Sequence, residues 1–222
     1  MNRWVLMVGV VLASTAAGCA SEDDDSTGSG AEDVTSAANR CLDPVPGTCN
    51  FYSSCLEKAK TCGPNGYALG YGAKYCARFS AEDRFSPDGT FWRDITLVCL
   101  QRSLVDFVDP KVAAVTTCDE LSDEAFDSHP VCYTQPEMSV CDLPLSDWNL
   151  IRKTVDAGDI LSRPGVRQVA SILRRCLFGG LFSHGGADGI AAAAPRSPES
   201  AAEFEAKAAL VESWEAELDA SR

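Results

Sequence analysis

The stretch "CGPNGYALGYGAKYC", residues 62–76, places four glycines between two cysteines. It is either a phosphate-binding loop or the turn at which a cross-linked helix begins. A Walker-type loop has two glycines five positions apart, followed by Lys and a hydroxyl residue. Here Gly66 and Gly72 are six apart, Ala73 precedes Lys74, and a tyrosine follows. The pattern therefore disagrees with a Walker loop.

A dinucleotide-binding loop also fits poorly. It needs a third glycine after Gly70 and Gly72, and it needs a preceding strand; the sequence supplies neither. Glycine permits tight backbone turns. We therefore interpret the stretch as a turn that leads from Cys62 into a helix carrying Cys76.

The high cysteine content has an explanation at the start of the chain. The sequence has 222 residues, 45% hydrophobic residues and 11 cysteines. It begins "MNRWVLMVGVVLASTAAGC", in which Arg3 precedes an apolar run and then small residues. This pattern is typical of a secretory signal, which we assign to residues 1–18. An exported chain enters an oxidising compartment, so paired thiols are expected rather than a zinc site or a thiol enzyme.

The end of the signal resembles a bacterial lipobox, with Gly18 before a lipid-accepting Cys19. Ala16 stands where leucine is usual, and the alternative is ordinary cleavage after Ala20, which would give a secreted chain. We favour lipidation of Cys19 and a location in the cell envelope, on the outer membrane, because removal of Cys19 leaves an even number of ten cysteines.

The charge balance limits the partners. The net charge is −13, and removal of residues 1–18, which include Arg3, makes it −14. An acidic surface argues against nucleic acid and against charge-driven binding to anionic lipid. Cationic partners and calcium remain open.

Residues 19–40 are rich in Ser, Gly, Asp and Glu, which predicts a disordered acidic linker that serves as a tether. Within it, Asp23 to Val34 imitates an EF-hand loop, with Gly28 at the sixth place. The twelfth place is Val34 instead of the bidentate glutamate, and no helices flank the loop, so we assign no calcium site.

Residues 41–178 show helical periodicity, which predicts an all-α, disulfide-rich bundle. Ser86 is the predicted N-cap of a helix that opens with Pro87 and carries Trp92, Ile95 and Cys99. Further predictions follow in chain order. Asp109-Pro110 ends that helix and starts the next, which carries Val112, Val115, Cys118 and Leu121, and residues 127–141 form a disulfide-strapped loop broken by Pro130 and Pro136.

Two more helices are predicted. Ser146 starts a helix that has Trp148, Ile151 and Val155 on one face and stops at Gly158, and Ser162 starts the last helix, in which Val166, Val169, Leu173 and Leu177 face inward.

The composition changes after this domain. Residues 179–196 form a Gly/Ala-rich linker, and residues 197–220 predict a separate amphipathic C-terminal helix, in which Phe204, Val211 and Leu218 are seven apart with Trp214 between them. The helix either packs back on the domain, which we favour, or binds a partner.

Helix geometry restricts the cysteine pairing. Cys49 and Cys55 lie six apart in one helical stretch, about 9 Å along its axis, whereas a disulfide needs Cα atoms within about 7 Å. These two therefore bond to other elements. The helices after Cys141 and before Cys176 have similar lengths, so a tight turn between them would bring these two cysteines together, and we predict that bridge.

The cysteine pattern resembles that of the stanniocalcin family. "FYSSCLEKAKTC" (residues 51–62) resembles the opening of the family, and "RFSPDGTFWRDITLVCL" (84–100) is similar to its basic-Phe, Gly, aromatic, Leu-x-Cys helix. "VCYTQPEMSVC" (131–141) matches its Cys-Tyr and Val-Cys strap, and "ILRRC" (172–176) ends where its tenth cysteine falls. The resemblance covers residues 41–178 and rests on ten cysteines in nearly matching order.

The resemblance implies five disulfides: Cys41–Cys55, Cys49–Cys76, Cys62–Cys118, Cys99–Cys132 and Cys141–Cys176. Some family features are missing. No cysteine follows Cys176 in the sequence, so a covalent dimer is not expected, and the chain has no Asn-x-Ser/Thr glycosylation site. The family consists of secreted animal hormones that act in calcium and phosphate balance, and that role does not transfer with the fold.

Three functions compete. The first is a non-catalytic, surface-tethered binding or structural module, whose partner is an unidentified protein or surface ligand, and we favour it.

The second is an extracellular hydrolase that uses His129 or His184. Asp127, Ser128 and His129 are adjacent in sequence, and adjacent residues rarely give the geometry of a catalytic triad. We therefore expect His129 to be a solvated loop residue. The third is a calcium-responsive protein with acidic faces such as "CDELSDEAFD" (118–127), for which an ordinary solvated helix face is the alternative. We assign no catalytic, cofactor-binding or metal-binding residue.

Overall fold

The computed structural model describes residues 40–155, 164–178 and 201–220. The predicted signal peptide, lipidation site, acidic linker and Gly/Ala linker lie outside these residues, apart from Arg40. The same is true of Gly158 and Ser162, the predicted helix stop and helix start.

The described part of the chain is helical and contains no strand, which confirms the predicted all-α class. Its helices are α1, a π-helical Phe51–Leu56 continued by Glu57–Ala59; α2, a π-helical Ala68–Ala73 continued by Lys74–Ala81; α3, Pro87–Arg102; α4, Pro110–Val115; α5, Cys118–Asp127; α6, His129–Tyr133; α7, Leu145–Thr154; α8, Pro164–Phe178; and α9, Ala201–Ala220. Short 3-10 turns span Val105–Val108 and Val140–Asp142. Among the described helices, none has the length and apolar content that a bilayer crossing requires.

Glycine lets α1 and α2 touch. Gly63 has a φ of +77°, which suits the turn after Cys62. Further along, a Cβ placed on Gly72 would lie 2.5 Å from Cδ1 of the Tyr52 ring. The glycine-rich stretch therefore begins a cross-linked helix, as predicted, and Gly72 also allows close helix packing.

Helix α3 begins as the sequence predicts. Ser86 is its N-cap, with Oγ accepting from the Gly89 backbone N–H at 3.0 Å, and Pro87 occupies the first turn. Asp147 of α7 is fully buried and accepts from the Ser86 backbone N–H at 3.0 Å and from its hydroxyl. One carboxylate thus fixes the start of α3 against α7.

The predicted inner faces of α7 and α8 are confirmed where their side chains are described. Trp148 and Ile151 of α7 and its C-cap Val155 are buried, as are Val169 and Leu173 of α8. The Trp148 indole N–H donates to the Val140 carbonyl at 2.8 Å. Leu177 is half-buried.

Helix α9 packs back on the domain, which is the alternative that we favoured. It lies against α7 and α8, with Val211 and Trp214 buried in the common core. The Lys207 ammonium lies 4.8 Å from the centroid of the Trp148 ring, and Arg174 donates to Glu215 at 2.7 Å. The side of α9 with Val211 and Trp214 is thus covered by its own chain, whereas Phe204 is 37% exposed and meets the Phe178 ring edge to face at 6.0 Å between centroids.

Three predicted segments differ from the structure. Helix α3, expected to continue to Asp109, ends at Arg102 and is followed by the 3-10 turn Val105–Val108. The helix expected to run from Pro110 through Leu121 is two helices, because Thr117 and Glu120 form a capping box that starts α5. Val115, at the end of α4, is consequently exposed rather than packed.

The expected loop over residues 127–141 contains helix α6 and a 3-10 turn, joined by an antiparallel bridge between Thr134 and Ser139. Pro130 occupies the first turn of α6, where its missing N–H costs nothing. Of the two prolines, only Pro136 lies in the non-helical connection.

Five disulfides join these elements, and they are the pairs that the resemblance implies: Cys41–Cys55, Cys49–Cys76, Cys62–Cys118, Cys99–Cys132 and Cys141–Cys176. Their Cα separations lie between 5.1 and 5.8 Å. The last pair is also the one predicted from helix lengths.

We predict that Asp147→Ala lowers the free energy of unfolding by about 2–3 kcal/mol, because two Ser86 donors lose their buried acceptor. The control is Asp88→Ala, which removes an acidic side chain from the first turn of α3 and is expected to cost less than about 1 kcal/mol. Urea denaturation of the oxidised proteins measures both changes. Equal effects would mean that Asp147 acts only through the helix dipole.

Candidate functional site

A buried aromatic cluster surrounds His129. The imidazole stacks on Tyr133 at 5.4 Å between ring centroids and on Tyr71 at 5.9 Å, and it meets Phe126 edge to face at 5.2 Å. Its Nε2 lies 3.4 Å from the Tyr67 hydroxyl. Its Nδ1 has no hydrogen-bond partner among the described residues. The side chain is 1% exposed, so the prediction of a solvated loop histidine is wrong.

Burial controls the ionisation of this cluster. It lowers the pKa of His129 to about 3, so the ring is neutral near pH 7. Burial also raises the pKa of Tyr52, of Tyr67 and of Tyr133. The cluster is therefore uncharged at physiological pH, and its members behave as packing residues.

The cavity beside the cluster is small. It has a volume of about 40 Å³ and is lined by residues that include Tyr52, Tyr71, Trp92 and His129. This is room for about three water molecules, well below the cavity of about 150 Å³ that holds benzene in another protein. The cavity is thus a packing defect of the core in its present shape and does not accommodate an organic ligand.

The hydrolase hypothesis gains no support from the positions of its residues. Ser128 Oγ donates to the Ala125 carbonyl at 2.7 Å, while His129 contacts Tyr67 in the interior. Asp127 is exposed at the end of α5. The side chains of Asp127, Ser128 and His129 therefore lie in different environments and do not form a triad with one another. His184 lies outside the described residues.

The acidic stretch of residues 118–127 forms helix α5. Leu121, Ala125 and Phe126 face the core, and Glu120 belongs to the capping box. The pKa of Glu120 is lowered, chiefly by the hydrogen bond from the Thr117 backbone N–H. No group of three His, Cys, Asp or Glu side chains within the described ranges could hold a metal ion. The EF-hand-like residues 23–34 are not among them.

An open groove lies between α3 and α6, with a volume of about 790 Å³. We call it the α3–α6 groove. Helix α3 contributes Ile95, Val98, Cys99 and Arg102, and Ser103 follows it; α5 and its C-cap contribute Glu124, Asp127 and Ser128; α6 and the loop after it contribute Val131, Cys132, Gln135 and Glu137. The Cys99–Cys132 disulfide links its two sides.

The groove combines apolar and acidic side chains. Val131 is 64% exposed, and Ile95 is partly exposed. Glu124 and Asp127 are exposed and form no ion pair with any described residue. Arg102, the one basic residue of the lining, donates to Asp43 at 3.1 Å.

The helical periodicity of the sequence did not predict this groove. Ile95 was predicted to share the buried face of α3 with Trp92. In the structure, the buried residue one turn after Trp92 is Thr96. A second apolar series, Phe91, Ile95 and Val98, has the spacing i, i+4, i+7 and was available as a signal. This second series was missed because it shares Ile95 with the predicted inward-facing series of Trp92, Ile95 and Cys99.

Comparison with known proteins gives no relative: no family model, no curated protein and no solved structure matches the chain.

We predict that the free energy of unfolding falls as the pH is lowered from 6.5 to 5. The ordinary pKa of histidine is about 6.5, and the folded value for His129 is about 3. In this window the unfolded chain binds a proton that the folded chain does not. The slope of the free energy of unfolding against pH therefore approaches about 1.4 kcal/mol per pH unit. His129→Phe, which keeps the ring contacts, should remove this component; urea titrations at a series of pH values measure it.

Glu82→Gln is the control for this experiment. The hydrogen bond from the Arg84 side chain lowers the pKa of Glu82 to about 2. The ionised Glu82 therefore stabilises the folded chain fully above about pH 4.5, and this stabilisation is lost as the pH falls from 4.5 toward 2. The variant should therefore keep the native slope between pH 5 and 6.5. An unchanged slope in His129→Phe would show that His129 is not the responsible group.

Proposed function

We propose that the chain is an exported, lipid-anchored, non-catalytic binding module of the stanniocalcin type. The observation that carries this proposal is the α3–α6 groove. It is open to the surface, has a volume of about 790 Å³, and its two sides are joined by the Cys99–Cys132 disulfide. A groove fixed by a covalent bond keeps its shape before a partner arrives, which lowers the entropic cost of binding. The partner is a protein or surface ligand and not a nucleic acid.

Two further observations support the binding hypothesis over the alternatives. The only described histidine is buried, and burial lowers its pKa to about 3, which makes it a poor general base near pH 7. The acidic helix α5 uses Glu120 for its cap. A hydrolase and a calcium-responsive protein therefore have less support than a binding module.

The stanniocalcin resemblance rests on the cysteine order and agrees with the five pairs in the structure. Export is supported by these disulfides, since such bonds persist in oxidising compartments. The lipid anchor rests on Gly18-Cys19 and on the even number of remaining cysteines. A hormone role forms no part of the proposal.

The binding function is tested with a photo-crosslinker, p-benzoylphenylalanine, in place of Val131 in cells that make the native chain. Val131 lines the groove and is 64% exposed. We expect one discrete crosslinked species. The matched control is Val115, which is 81% exposed and does not line the groove; it should give none. Absence of crosslinks at both positions, or the same crosslinks at both, would contradict a groove-centred binding function.

The anchor is tested by Cys19→Ala. We expect the native chain to fractionate with membranes, and its mature form to begin at Cys19 with a mass increased by lipid. The variant should move to the soluble fraction with its five disulfides intact. An unlipidated mature chain that begins after Ala20 would show that the chain is secreted instead.

A further inference from the structure

We propose that the α3–α6 groove binds a cationic amphipathic helix of a partner protein. This inference rests on the proposed function as a binding module and adds the chemistry of the partner. It follows from three properties of the groove: an apolar stripe, an excess of carboxylates, and a length that suits a short helix.

The apolar part of the surface extends along α3. Phe91 is 46% exposed and lies one turn before Ile95, which is partly exposed; Ile95 lines the groove together with Val98, which is 8% exposed, whereas Phe91 does not line it. These three residues follow the i, i+4, i+7 spacing of one helix face. Val131 of α6 adds an exposed side chain on the other side. Such an arrangement matches the contacts by which an amphipathic helix is held in a groove.

The charged part of the surface selects a cationic partner. Glu124 and Asp127, two exposed carboxylates, line the groove together with one arginine. Arg102 already donates to Asp43 at 3.1 Å, so its charge is balanced locally. The groove therefore presents a net negative charge, and Lys or Arg residues beside the apolar stripe of a partner would complement it. The net charge of −14 after removal of residues 1–18 would favour the same encounter.

The shape favours a helix over an extended peptide. From Phe91 to Arg102 is 11 positions, about 16 Å along α3 or about three helical turns, and the part from Ile95 onward lines the groove. Addition of a strand needs an open sheet edge, and the described part of the chain has helices and one isolated bridge. The partner segment is accordingly a helix of about three turns.

The test uses fluorescently labelled peptides of leucine and lysine, about 14 residues long, which is near four helical turns. One peptide has leucines at i, i+4 and i+7 and lysines elsewhere; a second has the same composition in scrambled order; a third has glutamate in place of lysine. Fluorescence anisotropy with the mature protein at about 0.15 M salt measures binding. We expect the patterned lysine peptide to bind about tenfold more tightly than either control peptide.

Variants of the protein then locate the site. Glu124→Lys combined with Asp127→Lys should weaken binding of the patterned peptide about tenfold. The matched control, Glu205→Lys with Glu212→Lys, makes the same charge change on exposed positions of α9 outside the groove and should leave the affinity within about twofold. Val131→Ser should weaken binding, whereas Val115→Ser should not.

The outcomes separate the two proposals. Equal binding of the patterned and scrambled peptides, or equal losses in both charge-reversed proteins, would overturn the cationic-helix inference, because attraction would then depend on net charge alone. If Val131 still crosslinks to a discrete partner in cells, the binding function stands with another partner chemistry. Absence of both signals would overturn both.

Discussion

The disulfides are the constraint on which the helical arrangement depends. Several helices are too short to be stable alone: α4 has six residues and α6 has five. Three bridges link residues that are 27, 33 and 56 positions apart, and each lowers the entropy of the unfolded chain. Short helices can therefore keep fixed positions although none of them presents a wide apolar face. The buried core, which extends to Trp214 of α9, then adds its own stabilisation.

Helix α3 connects this framework to the candidate site because it has two functional sides. Its inner side buries Trp92 and Thr96, and its start is held by the buried carboxylate of Asp147. Its outer side carries Ile95 and Val98 toward the groove. Since side chains on one helix move together, the contacts that fix the inner side also fix the outer one. The position of the groove thus depends on polar contacts on the far side of the helix.

The sequence predicted the features that local chemistry specifies. Ser86-Pro87 marked the start of α3, and cysteine order together with helix lengths indicated the bridges that the structure contains. It missed features that arise from tertiary contact. A π-helical turn such as Ala68–Ala73 has no distinctive composition, and His129 is buried because aromatic rings from α2, α5 and α6 converge on it. The groove was missed because two apolar series overlap on α3.

The Cys99–Cys132 disulfide joins α3 and α6 at the α3–α6 groove. Packed helices ordinarily approach until side chains fill the space between them, because buried apolar area supplies the attraction. Here a covalent bond holds the two Cα atoms 5.6 Å apart. The Trp92 indole N–H also donates to the Tyr133 carbonyl at 3.1 Å, and the Thr96 hydroxyl donates to the Cys132 carbonyl at 3.3 Å, so contacts of the inner side of α3 help to hold the two helices together. Val131 can remain 64% exposed without loss of the fold, and Glu124 and Asp127 can stand at the edge of an apolar surface. The disulfide and these inner contacts together keep α3 and α6 in place while the side chains of the proposed binding surface stay exposed.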